Sequence, residues 1–343
     1  MNQTDVHLMI PDLLPHFREH ADTYLSSLSL KALPQLLSHA RLQSHGMSEG
    51  YLKETLQRFN LSVGNEVPAG ALSALGLDIT GTHPWWLCAS PVLLQPNQNS
   101  VILRGNMSLQ LRSVEVNQLL GDLSEVFAEH HMRLVAPKPL EWLVNLPAES
   151  QLITTPLLEA LLKDISGVMP QGEEKYMWQR LSNDVQMMLH ASKVNAERAS
   201  LGKDPVNGLW FWGAGALPKA VEPVYQGCWT SSSIIKGACT LTETRYHALP
   251  TSIFGCVPHF KAGGKYLIVI EDLATLLAHG MGMQWAEALQ EIEAVWFAPL
   301  RIFLKNGEID NVFIHTGDGR QFHISRHTLR QWWRRTKSIE AFI

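Results

Sequence analysis

Charge, amides and bare backbone come together in the stretch "NAERASLGKDPVNGLWFWGAGALP", residues 195–218. Arg198 and Lys203 bring positive charge, Asn207 an amide, and Gly213 and Gly215 backbone N–H groups that no side chain covers. Such a set suits a phosphate, because cationic side chains make charge-assisted hydrogen bonds and bare N–H groups form a concave anion seat. Lys236, further on in "SSSIIKGACTL", is a further cation, expected as an outer contact if an anion binds. A second reading stays open. Arg198 and Lys203 are then solvated charges at a helix end. Trp210 and Trp212 face one side of a sheet and Phe211 the other, as the body of a buried strand.

Other chemistry-bearing residues are more scattered. Asp12 follows a short apolar run, and His315 lies at a strand end close to Asp318, where a His–Asp pair is possible. His323 and His327 stand four apart, which on a helix would put both on one face. Their ordinary reading is a polar surface. "KAGGK", residues 261–265, is a glycine turn between two lysines that can touch an anion and otherwise reads as a plain loop. The C-terminal "RHTLRQWWRRTKS" carries five cations and two tryptophans and reads as an amphipathic helix packing Leu329, Trp332 and Trp333. No G-x-S-x-G, P-loop or G-x-G-x-x-G is present.

The elements that must position these residues follow from periodicity. "DVHLMIPDLL" is a short strand-like run, and residues 17–43 have helical spacing with Pro34 in a first turn. "SVILRG", "MRLVAP" and "EWLVNLP" are strand-like around a helical "EVNQLLGDLSEVFAEHH", the mark of a small α+β unit. "TTPLLEALLKDI" is a short helix with Thr154 or Thr155 as its cap. Trp178, Leu181, Val185, Met188 and Leu189 form one apolar stripe in a helix from Glu174 to Leu201, with Gly202 closing it. "NGLWFWG", "KYLIVIE" and "NVFIHTG" are then strands separated by helices, including the long "MQWAEALQEIEAVWFAPLRIFL". That alternation predicts a parallel sheet covered on both faces.

Length and composition set the bounds. With 343 residues, one large domain and one smaller one are expected. Charged residues make up only 17%, so much of the chain is buried or in an interface, and a net charge of −4 argues against a nucleic-acid partner. Cys88, Cys228, Cys239 and Cys256 lack CxxC spacing and read as reduced, buried thiols. The N-terminus has no signal-peptide pattern and no apolar run is long enough to span a bilayer, so a cytoplasmic location away from membranes is expected.

The stretch "LHASKVNAERASLGKDPVNGLWFWGAGALP" resembles a segment of the archaeal-type cofactor-independent phosphoglycerate mutases, in the alkaline phosphatase superfamily. The matching positions are Asn195, Arg198, Gly202, Lys203, Pro205, Asn207, Gly213, Ala214, Gly215 and Pro218. "SSSIIKGACTLTE" resembles that family's Lys-Gly helix (Lys236, Gly237), and "ALSALGLD" the stretch before its insert domain. Thr316-Gly317-Asp318 stands where the family has Gly-Asp-His. The chain also resembles bacterial RpfE-type regulatory proteins. The resemblance implies an α/β fold with a doubly wound, mostly parallel sheet (alkaline phosphatase-like). Residues 1–95 and 169–343 would form its core, and 96–168 an inserted α+β cap.

The family moves a phosphoryl group through a serine and two divalent metals. Here the matched serine position falls on Val67, with Ser73 on the wrong part of the motif. The Asp-Gly near the N-terminus leaves only Asp12, and the late histidine has become Gly319. Asp272 and His279 stand seven apart where the family's spacing is four. The resemblance therefore implies no metal cofactor, or two Mn²⁺, Zn²⁺ or Mg²⁺ ions if other residues rebuild the site. The expected role is non-catalytic binding or regulation, with a phosphorylated small molecule or a protein as partner. An active phosphoglycerate mutase and a structural oligomer subunit are the alternatives.

Overall fold

The computed structural model describes residues 3–15, 24–25, 28–44, 49–331 and 333–343. In chain order its strands are β1 (Asp5–Met9), β2 (Arg41–Ser44), β3 (Trp85–Asn97), β4 (Ser100–Gly105), β5 (Arg133–Lys138), β6 (Glu141–Leu146), β7 (Gly208–Gly215), β8 (Gly227–Thr230), β9 (Arg245–Ala248), β10 (Lys265–Val269), β11 (Asn311–His315) and β12 (Arg320–Ser325). The chain packs as two units. One holds Met1–Leu61, Ala220–Ser232 and Ala238–Ile343; the other holds Ser62–Lys219 and Ser233–Gly237. The segment 96–168, expected as a cap, lies inside the second unit, which extends to both sides of it.

The first unit is built on a seven-stranded sheet in the order β2-β12-β11-β1-β10-β8-β9. β11, β1, β10, β8 and β9 are mutually parallel, while β12 runs antiparallel to both of its neighbours. Period-two alternation divides each strand between two faces. Val6, Leu8, Ile268, Val312 and Ile314 enter a core with Leu33, Leu36, Trp285, Trp296 and Leu300. These come from helix Ala32–His39 and from the long helical run at 282–306. That run is continuous but widens into a π-turn at Glu293–Phe297. Glu293, buried in this turn, accepts N–H bonds from Lys31 (2.8 Å), Ala32 (2.5 Å) and Leu33 (2.9 Å). It thereby satisfies orphan donors at the start of helix Ala32–His39.

The second unit has an all-antiparallel sheet, β4-β3-β6-β5, with β7 also paired to β3. Helices Ser113–Ala128 and Lys175–Ala191 contribute Leu119, Leu123, Trp178, Leu181 and Val185 to its core. The strand with the aromatic triplet was expected in the parallel sheet; it lies here instead. The reason is the run "WWLCASPVLLQPN", which forms the 13-residue β3 and offers β7 an apolar partner in register, Ala89 opposite Phe211. Phe211 packs against Trp178 at 5.0 Å between ring centroids, while the indole N–H groups of Trp210 and Trp212 donate to Thr155 O and Ser90 Oγ. The alternation of the triplet between two faces is therefore as expected.

Three further expectations are corrected. The helix from Glu174 to Leu201 breaks at Ser192, whose extended backbone ends one helix and whose Oγ accepts the N–H of Val194 to cap the next, Lys193–Ser200. Only Leu157–Ala160 of "TTPLLEALLKDI" is helical, and its N-cap is Pro156. His323 and His327 share no helix face, because His323 lies in β12 and only Arg326–Leu329 of the C-terminal segment is α-helical. Trp332 lies outside the described residues, and Trp333 is exposed. All four cysteines are buried and free.

Candidate functional site

In parallel sheets, ligands collect beyond the carboxyl ends of the strands. In the first unit that edge joins the ends of β1 and β11. Ile10 N–H donates to His315 O at 2.9 Å and Asp12 N–H to Thr316 O at 3.2 Å. Asp12 is exposed, takes a left-handed backbone (φ 56°), and accepts the Trp285 indole N–H at its carbonyl. Gly317 (φ 78°) makes the β11 turn possible, since a Cβ there would come within 2.9 Å of Tyr51 Cβ and 3.1 Å of Pro11 Cβ.

Asp318, beyond that turn, is held by Arg320. Its carboxylate accepts Arg320 Nε–H at 2.7 Å, the Arg320 backbone N–H at 3.1 Å and the Thr316 hydroxyl at 2.5 Å. The guanidinium also donates to Phe342 O at 2.6 Å and Leu14 O at 2.7 Å, which fixes it in place. Burial pushes the Asp318 carboxyl up, but the hydrogen bonds and charge of Arg320 outweigh it and hold the group below the usual range. Next to it, Glu54 accepts the Gly319 N–H at 3.1 Å and pairs with Arg58 at 3.0 Å. Each of these two carboxylates thus meets a guanidinium.

His315 is fully buried, and its Nε2 lies 3.0 Å from His7 Nδ1. His7 stacks on Phe313, and Phe313 on His323, following the register of β1, β11 and β12. Burial, with the charges of Lys265, Arg58 and His323, lowers His7 to about 2, so it is neutral. His279 donates Nδ1–H to Thr275 O at 2.8 Å. Burial and Glu291 raise Asp272. Among the described residues, no three His, Cys, Asp or Glu side chains converge as a metal-holding group.

The second unit contains the residues first read as an anion seat. Arg198 is 1% exposed and gives NH1 to Glu115 at 3.0 Å, NH2 to Leu109 O and Nε to Asp204 O. Asn207 spends its amide on Leu94, accepting the N–H at 2.7 Å and donating to the carbonyl at 2.8 Å. Lys203 is exposed, and Lys236 reaches Asp78 at 3.5 Å. Gly213 (φ 67°) gives its N–H to Thr154 Oγ1 at 2.9 Å and to Glu66 at 3.2 Å. The Thr154 hydroxyl in turn donates to Glu66. Burial raises the Glu66 carboxyl against the pull of these donors. A side chain at Gly213 would strike Ala69 Cβ at 2.5 Å, and one at Gly215 (φ 154°) Pro68 Cβ at 2.9 Å. The glycine pair therefore lets the strand end close against the start of helix Ala69–Gly76.

Sequence reasoning passed over Glu54, Arg58, Arg320 and Glu66, and read Thr154 as a helix cap. A signal existed for two pairs: Asp318 and Arg320 stand two apart at a strand entry, and Glu54 and Arg58 stand four apart on a helix. Thr154 and Glu66 are 88 residues apart, and no local pattern links them.

No family model matches the chain. A 75-residue segment is 35% identical to the 2,3-bisphosphoglycerate-independent phosphoglycerate mutase of Methanosarcina barkeri, covering 22% of this chain and 18% of that protein. The enzymes of the same name from Methanosarcina mazei (32% over 75 residues) and Methanothrix thermoacetophila (30% over 66 residues) match similarly. The match to these curated relatives thus covers less than a fifth of their length. Among solved structures, the PH0037 protein of Pyrococcus horikoshii is similar in fold, with a TM-score of 0.57 at 12% identity over 95% of this chain and 88% of that one. The cofactor-independent phosphoglycerate mutase of Thermoplasma acidophilum aligns at a TM-score of 0.47 and 14% identity, over 99% of this chain and 95% of that one.

Proposed function

For a chain similar to the cofactor-independent phosphoglycerate mutases, we propose a role in binding a phosphorylated small molecule rather than converting it. The observation that carries this reading is the grip of Arg320 on Asp318 at the carboxyl edge of the parallel sheet. A divalent ion competes poorly for a carboxylate that already accepts a guanidinium, a hydroxyl and a backbone N–H. Two-metal phosphoryl transfer also needs an oxygen nucleophile, and Val67 has none. Among the described residues, the donor set at this edge does not fit a pair of metal ions. The phosphorylated ligand is inferred from the name of the curated relatives; phosphoglycerate is the first candidate.

The test is metal analysis of the purified protein, followed by melting with 3-phosphoglycerate. The expected result is no stoichiometric Mn²⁺ or Zn²⁺, no mutase turnover after metal is added, and stabilisation by about 2.7 kcal/mol at a hundredfold excess over the dissociation constant. Metal-dependent interconversion of 2- and 3-phosphoglycerate would overturn the reading. So would a melting curve indifferent to every phosphorylated three-carbon acid.

A further inference from the structure

A groove of about 690 Å³ opens at the other edge of the first unit's sheet, where β8, β9 and β10 begin. Its size is that of a small-molecule site. Two features distinguish it from an ordinary surface hollow.

One is a cluster of rings. Trp229 and His247 are register partners on β8 and β9, and their rings stack at 4.7 Å and 11°. His259 closes a triangle with them, tilted by 46° to His247 at 4.5 Å and 5.9 Å from Trp229. Trp229 is buried, His247 half-buried and His259 exposed.

The other is unbalanced charge. Among the described residues, Arg245, Lys261 and Lys265 line the groove with one acid, Glu243, while Asp5 faces Lys265 as its register partner on β1. None of the three cations makes a salt bridge among the described residues. Lys265 instead lies over the Tyr225 ring, 5.1 Å from its centroid. The lysines belong to the "KAGGK" turn, which is anchored: buried Tyr266 accepts the Lys261 N–H through its hydroxyl at 2.7 Å, and that hydroxyl donates to Gln226 at 3.2 Å.

We propose that this groove binds a mononucleotide, its base packed against the His247 and His259 rings of this cluster and its phosphate among Arg245, Lys261 and Lys265. Rings and cations side by side suit a ligand that is flat at one end and anionic at the other. The site lies at the edge opposite Asp318 and does not rest on the role proposed above.

The experiment is titration calorimetry of the full chain with AMP, adenosine, ribose 5-phosphate and a ten-nucleotide RNA. AMP is expected to bind at least tenfold more tightly than adenosine or ribose 5-phosphate, and more tightly per site than the RNA. Substituting Arg245→Ala with Lys261→Ala, both exposed, should weaken AMP at least tenfold and leave the melting temperature unchanged. His247→Ala should weaken AMP and spare ribose 5-phosphate. No AMP heat at millimolar concentration overturns the proposal. So does AMP affinity unchanged by the double substitution, adenosine binding as tightly as AMP, or tighter binding of the RNA. Affinity for 3-phosphoglycerate, measured on the same double variant, separates this site from the role proposed for the phosphomutase-like scaffold: it is expected to stay unchanged.

Discussion

Arg198 is a cation inside a protein core, and its surroundings decide what it does. Its guanidinium meets Glu115, Leu109 O and Asp204 O, and its side chain is 1% exposed. Burial pushes the Glu115 carboxyl up, but the Arg112 backbone N–H and the Arg198 guanidinium outweigh it and hold the group below the usual carboxylate range. Removing Arg198 leaves Glu115 with Arg112 as its remaining guanidinium, at 3.2 Å, and strips Leu109 O and Asp204 O of a donor, which together cost about 3 kcal/mol. Arg198→Met should therefore lower stability by that amount in urea denaturation, while the affinity for 3-phosphoglycerate stays as in the parent. A selective loss of phosphoglycerate binding at unchanged stability would make Arg198 a ligand after all. The sequence alone could not choose between these roles. Arg198 sits in the last turn of a helix with the composition of a solvated end, and the acid that claims it lies 83 residues earlier. Asp318 was legible as a strand-end acid, and the residue that neutralises it was two positions away.

The resemblance to known enzymes rests partly on "ALSALGLD" and the helix carrying "IIKG", and within the second unit helix Ala69–Gly76 and the segment Ser233–Gly237 meet in backbone contact. A Cβ on Gly237 would lie 1.9 Å from Leu72 O, and one on Gly76 2.0 Å from Ser233 O. Ser73 and Ser233 hydroxyls lie 3.3 Å apart at the same crossing. Glycine is thus required by approach and not by turn geometry. Gly237→Ala must force the helices apart and should cost about 3 kcal/mol or more. Gly121→Ala is the control: nothing lies within 4 Å of the added methyl on an exposed helix face, and it should gain about 0.5–1 kcal/mol. Urea midpoints of both variants check this; equal midpoints would show that the crossing is looser than described. Elements of this kind were readable one at a time. β1, β10, β11 and the long helical run at 282–306 follow from periodicity. The strand at 208–215 was readable as a strand but not in its sheet, because its partner β3 mixes tryptophan, serine and proline and shows no clean alternation.

At the scale of the molecule, each unit has its own apolar core, and the first also buries titratable rings. His7, His247, His279 and His323 are all lowered, each chiefly by burial. His7 matters most, because its folded value of about 2 lies far below its usual 6.5. Between those values the unfolded chain takes up a proton that the folded chain refuses. Stability from this group is then complete above pH 6.5 and lost as pH falls, at up to about 1.4 kcal/mol per pH unit. Glu66, Glu159 and Asp272 are raised by burial and act in the opposite sense, gaining stability as pH falls toward their unfolded values. A whole-protein pH profile therefore mixes both signs, and only a difference isolates His7. His7→Phe keeps the stack on Phe313 but loses the contact with His315, so it should be less stable than the parent at pH 7. From pH 7 to 5 its unfolding free energy should fall by about 1–2 kcal/mol less than the parent's. Parallel profiles for the two proteins would mean that His7 is protonated in the folded state, and that the buried pair it forms with His315 carries a charge.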